Sequence, residues 1–510
     1  MSLAIVYSRA CVGMDAPLVT VEVHLSNGLP SMSMVGLPET AVKESKDRIK
    51  SALKNSRFEY PPKRITVNLA PADIKKEGPS FDLPIALGLL AATGQLSPES
   101  LKDYLILGEL ALDGRVRPVR GALPIALSLR KGGRKRIILP GDNAAEAAVV
   151  KDVEVYGVES VLEAVKFING EVRIAPHKVD LEDILKDLSD YEVDFADVKG
   201  QFSVKRSLEV AAAGSHNVLM VGPPGTGKTM LARRLPTIIP DMNLEEALET
   251  TQIHSVAGLL PADRALVTRR PFRSPHHTSS DIALVGGGTI PHPGEVSLAH
   301  NGVLFLDELP EFHRQAIEVL RQPLEDGSVT ISRVNKTLTF PSRILLISTM
   351  NPCPCGHLGD AVECHCAPYQ IQRYRSRISG PLLDRIDIHI ETPALKYKEL
   401  ADEKLSEPSK NIRQRVQNAR DIQRQRFKGE KIYGNAYMGQ KQIRKYCHLD
   451  NEGKELLKMA MSELGISARA YDKILKVART IADLAVSEII HPEHLSEAIQ
   501  YRSLDRNLLA

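Results

Sequence analysis

Between the apolar run Val218-Leu219-Met220-Val221 and the helix-like stretch Met230-Leu231-Ala232-Arg233-Arg234 stand eight residues, Gly222-Pro223-Pro224-Gly225-Thr226-Gly227-Lys228-Thr229. They read as a phosphate-cradling Walker A loop with a strand before it and a helix after it. That order calls for an α/β unit built on a parallel sheet, with its ligand at the strand C-termini. The glycines let backbone N–H groups converge on phosphates, and Lys228 reaches the outer oxygens. The Thr229 hydroxyl suits Mg²⁺, and the helix that follows adds the positive end of its dipole. A glycine-rich structural turn is the competing reading of the loop taken alone.

At 510 residues the chain is long enough for several domains. Lys and Arg number 66 against 63 Asp and Glu, a net charge of +3, so any nucleic-acid surface must be a local patch. The hydrophobic share of 43% and the charged share of 25% are those of a soluble globular protein. The start, Met1-Ser2-Leu3-Ala4-Ile5-Val6-Tyr7-Ser8-Arg9, has no basic segment leading into a long apolar one, and no later run approaches a membrane span. These features predict a cytoplasmic protein with no membrane partner. Four of the six cysteines fall between Cys353 and Cys366, which suits a metal site in a reducing compartment better than a disulfide framework.

Four segments follow along the chain. Residues 1–175 alternate β-rich runs (Thr20 to Leu25, Arg64 to Leu69, Arg136 to Leu139) with helix-like ones such as Glu39 to Leu53. Residues 176–197 are thick with acids, including Asp180, Glu182, Asp183 and Asp194, and read as a linker or an amphipathic connecting helix. Residues 198–395 carry the nucleotide motifs and the 353–366 cysteine cluster, and 396–510 are helical, with Ala470, Ile474, Val477, Ala478, Ile481 and Leu484 on one face.

Val303-Leu304-Phe305-Leu306-Asp307-Glu308 is a buried-strand run ending in two carboxylates. It reads as a Walker B strand, with Asp307 on the Mg²⁺ shell and Glu308 activating water, against the plainer reading of a strand ending in solvated acids. The apolar run Ile344 to Met350 delivers Asn351, either a γ-phosphate-side amide that positions the lytic water or a turn residue before Pro352. Ser328-Val329-Thr330-Ile331 and Thr337-Leu338-Thr339-Phe340 flank Arg333 and Lys336, a hairpin with basic residues at its turn.

The P-loop, Gly302 to Leu309, Asn351-Pro352-Cys353-Pro354-Cys355-Gly356 and Gly380-Pro381-Leu382-Leu383-Asp384-Arg385-Ile386-Asp387 together resemble AAA+ ATPases of the magnesium-chelatase-like branch, above all the YifB/ComM group. Val35-Gly36-Leu37-Pro38-Glu39 and Asn68 to Asp73 are similar to that group too, so the likeness covers nearly the whole chain. It implies an N-terminal α/β domain of the Lon-protease (ribosomal S5 domain 2-like) fold, an AAA+ core with a parallel sheet, and a C-terminal helical lid. It also implies ATP hydrolysis with Mg²⁺. Arg385 matches the arginine finger that reaches a neighbouring subunit's ATP, and Arg469 the sensor-2 arginine of the lid. Without the resemblance, Arg385 reads as salt-bridged to Asp384 or Asp387 and Arg469 as solvent-facing. A finger acting in trans implies a homo-oligomeric ring, a hexamer in this branch. In related helicase rings the basic hairpin tracks the DNA backbone, so Arg333 and Lys336 are candidate phosphate contacts, with solvated turn charges as the alternative.

Lys76 to Pro84 and Gly108 to Val116 look like the Lon proteolytic domain, with Ser80 where its nucleophile falls. Leu123 stands near the place of the general-base lysine, which leaves Ser80 a weak nucleophile and predicts a non-proteolytic domain. Lys75, Lys76 and Arg120 offer a DNA-facing patch as another reading, and His276 and His277 read as phosphate contacts or as hydrogen-bonding loop residues. Cys353, Cys355, Cys364 and Cys366 suit a tetrahedral structural Zn²⁺, against reduced thiols with no metal. The basic run Arg413, Arg415, Arg420, Arg424, Arg426 and Lys428 fits either nucleic-acid backbone contact or a solvated connector helix.

The leading expectation is a Mg-ATP-dependent hexameric DNA motor, of helicase or branch-migration type, acting on branched or single-stranded DNA in recombination of incoming DNA. Its rivals are a protein-remodelling or Lon-like peptidase-associated ATPase and a metal-chelatase accessory ATPase.

Overall fold

A computed structural model describes residues 2–37, 40–76, 78–181, 184, 191–261, 264–288, 291–333, 336–359, 362–394, 406–430, 432–464 and 468–505. Contacts divide the chain into two units, Met1–Asp187 with Leu244–Thr268, and Leu188–Asn243 with Arg269–Ala510. The first unit has its own mixed seven-stranded sheet. Its strand order is Ser31–Val35, Arg64–Ala70, Leu18–Ser26, Leu3–Arg9, Tyr104–Ile106, Arg136–Pro140 and Glu154–Val158. Strict alternation writes Leu18–Ser26 as a half-buried strand, with Val19, Val21, Val23 and Leu25 turned into the core. Helix Asp82–Ala92 is apolar on all sides and every one of its residues is buried, so each Leu and Ile contributes roughly 2 kcal/mol of transfer free energy. Gly88 lets that helix lie against the sheet, because a Cβ there would come within 2.8 Å of Val23 Cγ2. The one charge in the helix, Asp82, is met by Arg48 at 2.7 Å.

Leu244–Thr268 lies inside the segment 198–395 set out from sequence, yet its contacts group it with the first unit. Helix Leu244–Ala257 packs on helix Ala122–Lys131. Gln252 Nε2 donates to the Met14 carbonyl at 2.6 Å, and the Gly121 N–H donates to the Ser255 carbonyl at 3.3 Å.

The second unit is built on a five-stranded sheet, all parallel, in the order Phe272–Arg273, Val303–Leu306, Leu345–Met350, Val218–Val221, Ile388–Glu391. Parallel strands are covered on both faces, which is why Val218–Val221 and Val303–Leu306 are continuous apolar runs buried at every position. The later strand Leu345–Met350 inserts between the strand before the P-loop and the strand before Asp307. C-terminal helices Ser409–Arg426, Asn451–Leu464, Ala468–Leu484 and Pro492–Gln500 share the core of this unit. No helix among the described residues is long and apolar enough to cross a membrane.

The basic run on helix Ser409–Arg426 is spent inside the unit. Arg415 meets Glu209 and Glu407 at 2.5 Å each, Arg426 meets buried Asp483 at 2.5 Å, Arg424 meets Asp421 at 3.0 Å, and Arg413 pairs with Asp241. Arg420 donates to the Ala212 carbonyl at 3.0 Å. Four of the six basic residues, Arg413, Arg415, Arg420 and Arg426, thus hold neighbouring elements, while Arg424 pairs within its own helix, as a connector helix would have it.

A candidate nucleotide site at the strand C-termini

Sheet register assembles the site. Phe305 pairs with Ile347 and Leu306 with Ser348, so one step further brings Asp307 beside Thr349; Val221 pairs with Met350, which brings Gly222 beside Asn351. The Gly222 N–H donates to the Met350 carbonyl at 3.2 Å, and a Cβ at Gly222 would sit 2.2 Å from the Thr392 carbonyl oxygen, so only glycine fits. Gly225 and Gly227 take positive φ of 78° and 85°, the left-handed region that turns the loop back on itself.

Helix Lys228–Arg234 starts directly after the loop. Lys228 Nζ donates to the carbonyls of Gly222 and Pro223 at 2.7 Å each and lies 3.4 Å from Asn351 Oδ1. Burial lowers the Lys228 pKa, against the pull of the Asp307 and Glu308 carboxylates. Thr229 Oγ1 donates to Asp307 Oδ2 at 2.8 Å, a pair of hard oxygens of the kind Mg²⁺ takes. Thr349 Oγ1 donates to the other oxygen, Asp307 Oδ1, at 2.5 Å and accepts the Glu308 N–H at 3.0 Å. Glu308 itself has φ of +54°, in the left-handed region that non-glycine residues seldom take. His277 Nδ1 stands 4.0 Å from Glu308 Oε2, its ring 4.1 Å from that of His276, while His276 Nδ1 lies 2.9 Å from Thr278 Oγ1.

Pro223, Pro224 and Thr226 complete the loop: Thr226 Oγ1 donates to the Pro223 carbonyl at 3.0 Å, and Gln201 Nε2 ties the Thr226 and Pro393 carbonyls at 3.3 and 2.8 Å. Gln201 and Thr349 are missing from the sequence-based set. Thr349 carries no motif of its own; it comes to the site because its strand, Leu345–Met350, runs beside the strand that ends at Leu306.

Arg385 lies elsewhere. Its guanidinium pairs with Glu325 and donates to the Pro381 carbonyl at 2.8 Å, with neither partner in the P-loop and neither being Asp384 or Asp387. Arg469 falls in the first turn of helix Ala468–Leu484, but its side chain is outside the described residues. Arg333 and Lys336 face each other across the hairpin Ser328–Arg333 and Lys336–Pro341. Arg333 is exposed; the 334–335 tip and the Lys336 side chain are outside the described residues.

The four cysteines converge. Cys353 Sγ is 3.4 Å from Cys355 Sγ and 3.7 Å from Cys364 Sγ, Cys355 Sγ is 3.6 Å from Cys364 Sγ, and all four sulfurs including that of Cys366 lie within 4.8 Å of one another. Every cysteine is free. The His357 N–H, then the neighbouring thiols, bring the Cys355 thiol down to about 6.

The family magnesium chelatase, subunit ChlI, matches residues 194–400; the family subunit ChlI of Mg-chelatase matches 21–143, and magnesium chelatase, subunit ChlI C-terminal, matches 406–502. Competence protein ComM of Haemophilus influenzae is 49% identical across 100% of this chain and 99% of that one. The chain belongs to the ComM/YifB family. YifB of Escherichia coli, described as uncharacterized, is 46% identical over the same shares. Lon protease 1 of Thermus thermophilus is 30% identical over 30% of this chain and 20% of its own length, a likeness that fits the N-terminal unit. This ComM/YifB chain is therefore an AAA+ protein with a Lon-like N-terminal fold. In it, Leu123 is fully buried in helix Ala122–Lys131 and its N–H donates to Glu146 Oε1 at 2.8 Å, so an apolar side chain fills that position. The Ser80 carbonyl accepts the Gly108 N–H at 3.0 Å. Lys76 is fully buried with its amine on the Pro71 carbonyl, which removes it from any DNA-facing patch.

Proposed function

We propose that this chain is a Mg-ATP-dependent motor that works on DNA as a homohexameric ring in the cytoplasm and drives branch migration or unwinding when incoming DNA recombines. The observation that carries the ATPase part is the single run of contacts from Thr229 through Asp307 and Thr349 to Glu308. Lys228 and the loop residues Gly222 to Thr229 bind and orient the triphosphate. Bound Mg²⁺ supplies charge neutralisation on the phosphate oxygens, and Thr229 with Asp307 offers the oxygen donors that fit it. Glu308 takes the proton of the attacking water, and Asn351 orients that water from beside Lys228. Arg385, turned to Glu325 in its own subunit, serves the ATP of the neighbour, with Arg469 acting from the helical lid.

The DNA part rests on the name of the competence relative and on the exposed basic hairpin, where Arg333 and Lys336 contact phosphates. The four thiolates hold a structural Zn²⁺. A Zn–S bond of about 2.3 Å sets tetrahedral vertices about 3.8 Å apart, close to the sulfur separations seen.

The test measures ATP hydrolysis with branched DNA, single-stranded DNA, casein and no additive, beside movement of a labelled four-way junction. Stimulation by DNA with junction movement is expected. Stimulation by casein alone, with no DNA binding at low salt, would replace this reading with protein remodelling.

A further inference from the structure

The zinc cluster starts two residues after Asn351, and its loop touches the P-loop. Cys353 is fully buried, and its carbonyl accepts the Gly356 N–H at 3.0 Å. Gly356 has φ of +85°, so the turn closes tightly, and a Cβ there would come within 2.8 Å of Pro224 Cδ and 3.9 Å of Asn351 Cγ. From the other side, Arg375 Nε and Nη2 hold the Pro352 carbonyl at 3.3 Å each. Cys355 precedes Gly356, and its Sγ meets Cys364 Sγ across a loop that returns from nine residues away. The metal vertices therefore bracket the backbone that follows Asn351 and passes too close to Pro224 to leave room for a side chain at Gly356.

We propose that the four-thiolate Zn²⁺ knot is a brace for the nucleotide site, fixing the Cys353–Gly356 turn against Pro224 and thereby holding the Asn351 amide in place. The inference rests on reading the thiolates as a zinc site and Asn351 as the water-orienting amide. Four thiols give up their protons when the ion binds, and closed coordination leaves no position for water, so the ion's work is mechanical. Cys353 and Cys355 are positioning residues that act through Asn351.

Metal analysis of the full chain, purified with Zn²⁺ supplied, should find about one ion per chain, and exchange with Co²⁺ should give thiolate-to-cobalt absorption. Cys364→Ser/Cys366→Ser removes two ligands remote in sequence from Asn351 and should lose the metal. Its kcat for ATP should fall about tenfold to a hundredfold while its Kd for ATP stays within about threefold, because misplacement of an orienting group costs rate rather than binding. Gly356→Ala keeps all four thiolates and forces the turn away from Pro224; it should retain the metal and show the same split, and it decides the matter if the double variant fails to fold. Full kcat in a folded, metal-free double variant, or in metal-loaded Gly356→Ala, overturns the brace and leaves the metal site standing. A chain that takes up no zinc overturns both.

Discussion

Thr349 uses one hydroxyl to engage both acids of the candidate site, donating to the Asp307 carboxylate and accepting the Glu308 N–H. Replacing it with Val keeps the strand's β-branched shape and removes both contacts. A hydrogen bond to a charged group is worth about 1.5–3 kcal/mol, so Thr349→Val should raise the Mg²⁺ needed for half-maximal ATPase by about tenfold or more in a metal titration. Lys228→Ala should abolish binding of a fluorescent ATP analogue, whereas Glu308→Gln should bind it normally and lose at least about a hundredfold in phosphate release. Equal loss of binding in both would contradict the roles assigned to them. The sequence named Lys228, Thr229, Asp307, Glu308 and Asn351 because each belongs to a motif with its own spacing. Thr349 belongs to none, since its importance comes from a register between strands whose residues lie about forty positions apart in sequence.

The same limit operates on elements. Apolar runs announced the strands Val218–Val221 and Val303–Leu306, and helical spacing announced Ala468–Leu484. The fate of the Ser409–Arg426 arginines could not be read that way, because their partners Glu209, Asp241 and Asp483 come from three distant segments. Helix Ala468–Leu484 is anchored to the sheet by a second such network: Lys473 Nζ reaches Asp387 Oδ1 at 2.5 Å, the Asn217 N–H donates to Asp387 Oδ2 at 3.0 Å, and buried His216 stands 3.6 Å from the same carboxylate. Burial pushes the Asp387 pKa up, but the Lys473 charge and the His216 contacts outweigh it and hold the group well below the usual carboxylate range. Burial lowers the pKa of His216, and that of His389, where nearby Arg502 adds to it. For both histidines the unfolded chain binds protons more readily, so stability should begin to drop as pH falls below about 6.5. The Asp387 contribution is fully present above about pH 4 and is lost as pH falls further through its depressed folded value. Thermal unfolding followed across pH 3 to 8 should show the histidine stage in wild type and in Asp387→Asn alike. At neutral pH that variant should be less stable by about 3 kcal/mol, because the part-buried Lys473 is left without its partner.

At the scale of the molecule, the finger role proposed for Arg385 would set a lone subunit apart from an assembly. Subunits carrying Arg385→Ala should still bind ATP, and if the proposed ring forms, mixing them with wild type should depress ATPase activity more steeply than their mole fraction, as followed by phosphate release. A strictly linear decline would argue against a finger acting in trans. Glu325→Gln should loosen the pairing that holds Arg385 within its own subunit and favour ring formation at lower protein concentration, measured by light scattering. The chain also runs between its two units three times, after Asp187, after Asn243 and after Thr268. Sequence order suggested a simple succession of domains, because a short helix such as Leu244–Ala257 carries no mark of which core will receive it. During synthesis, then, the first unit cannot be finished when Met1–Asp187 has emerged. The helix that packs on Ala122–Lys131 leaves the ribosome only after the P-loop has been made, so the N-terminal unit must wait, partly open, for a piece delivered from within its neighbour's stretch of chain.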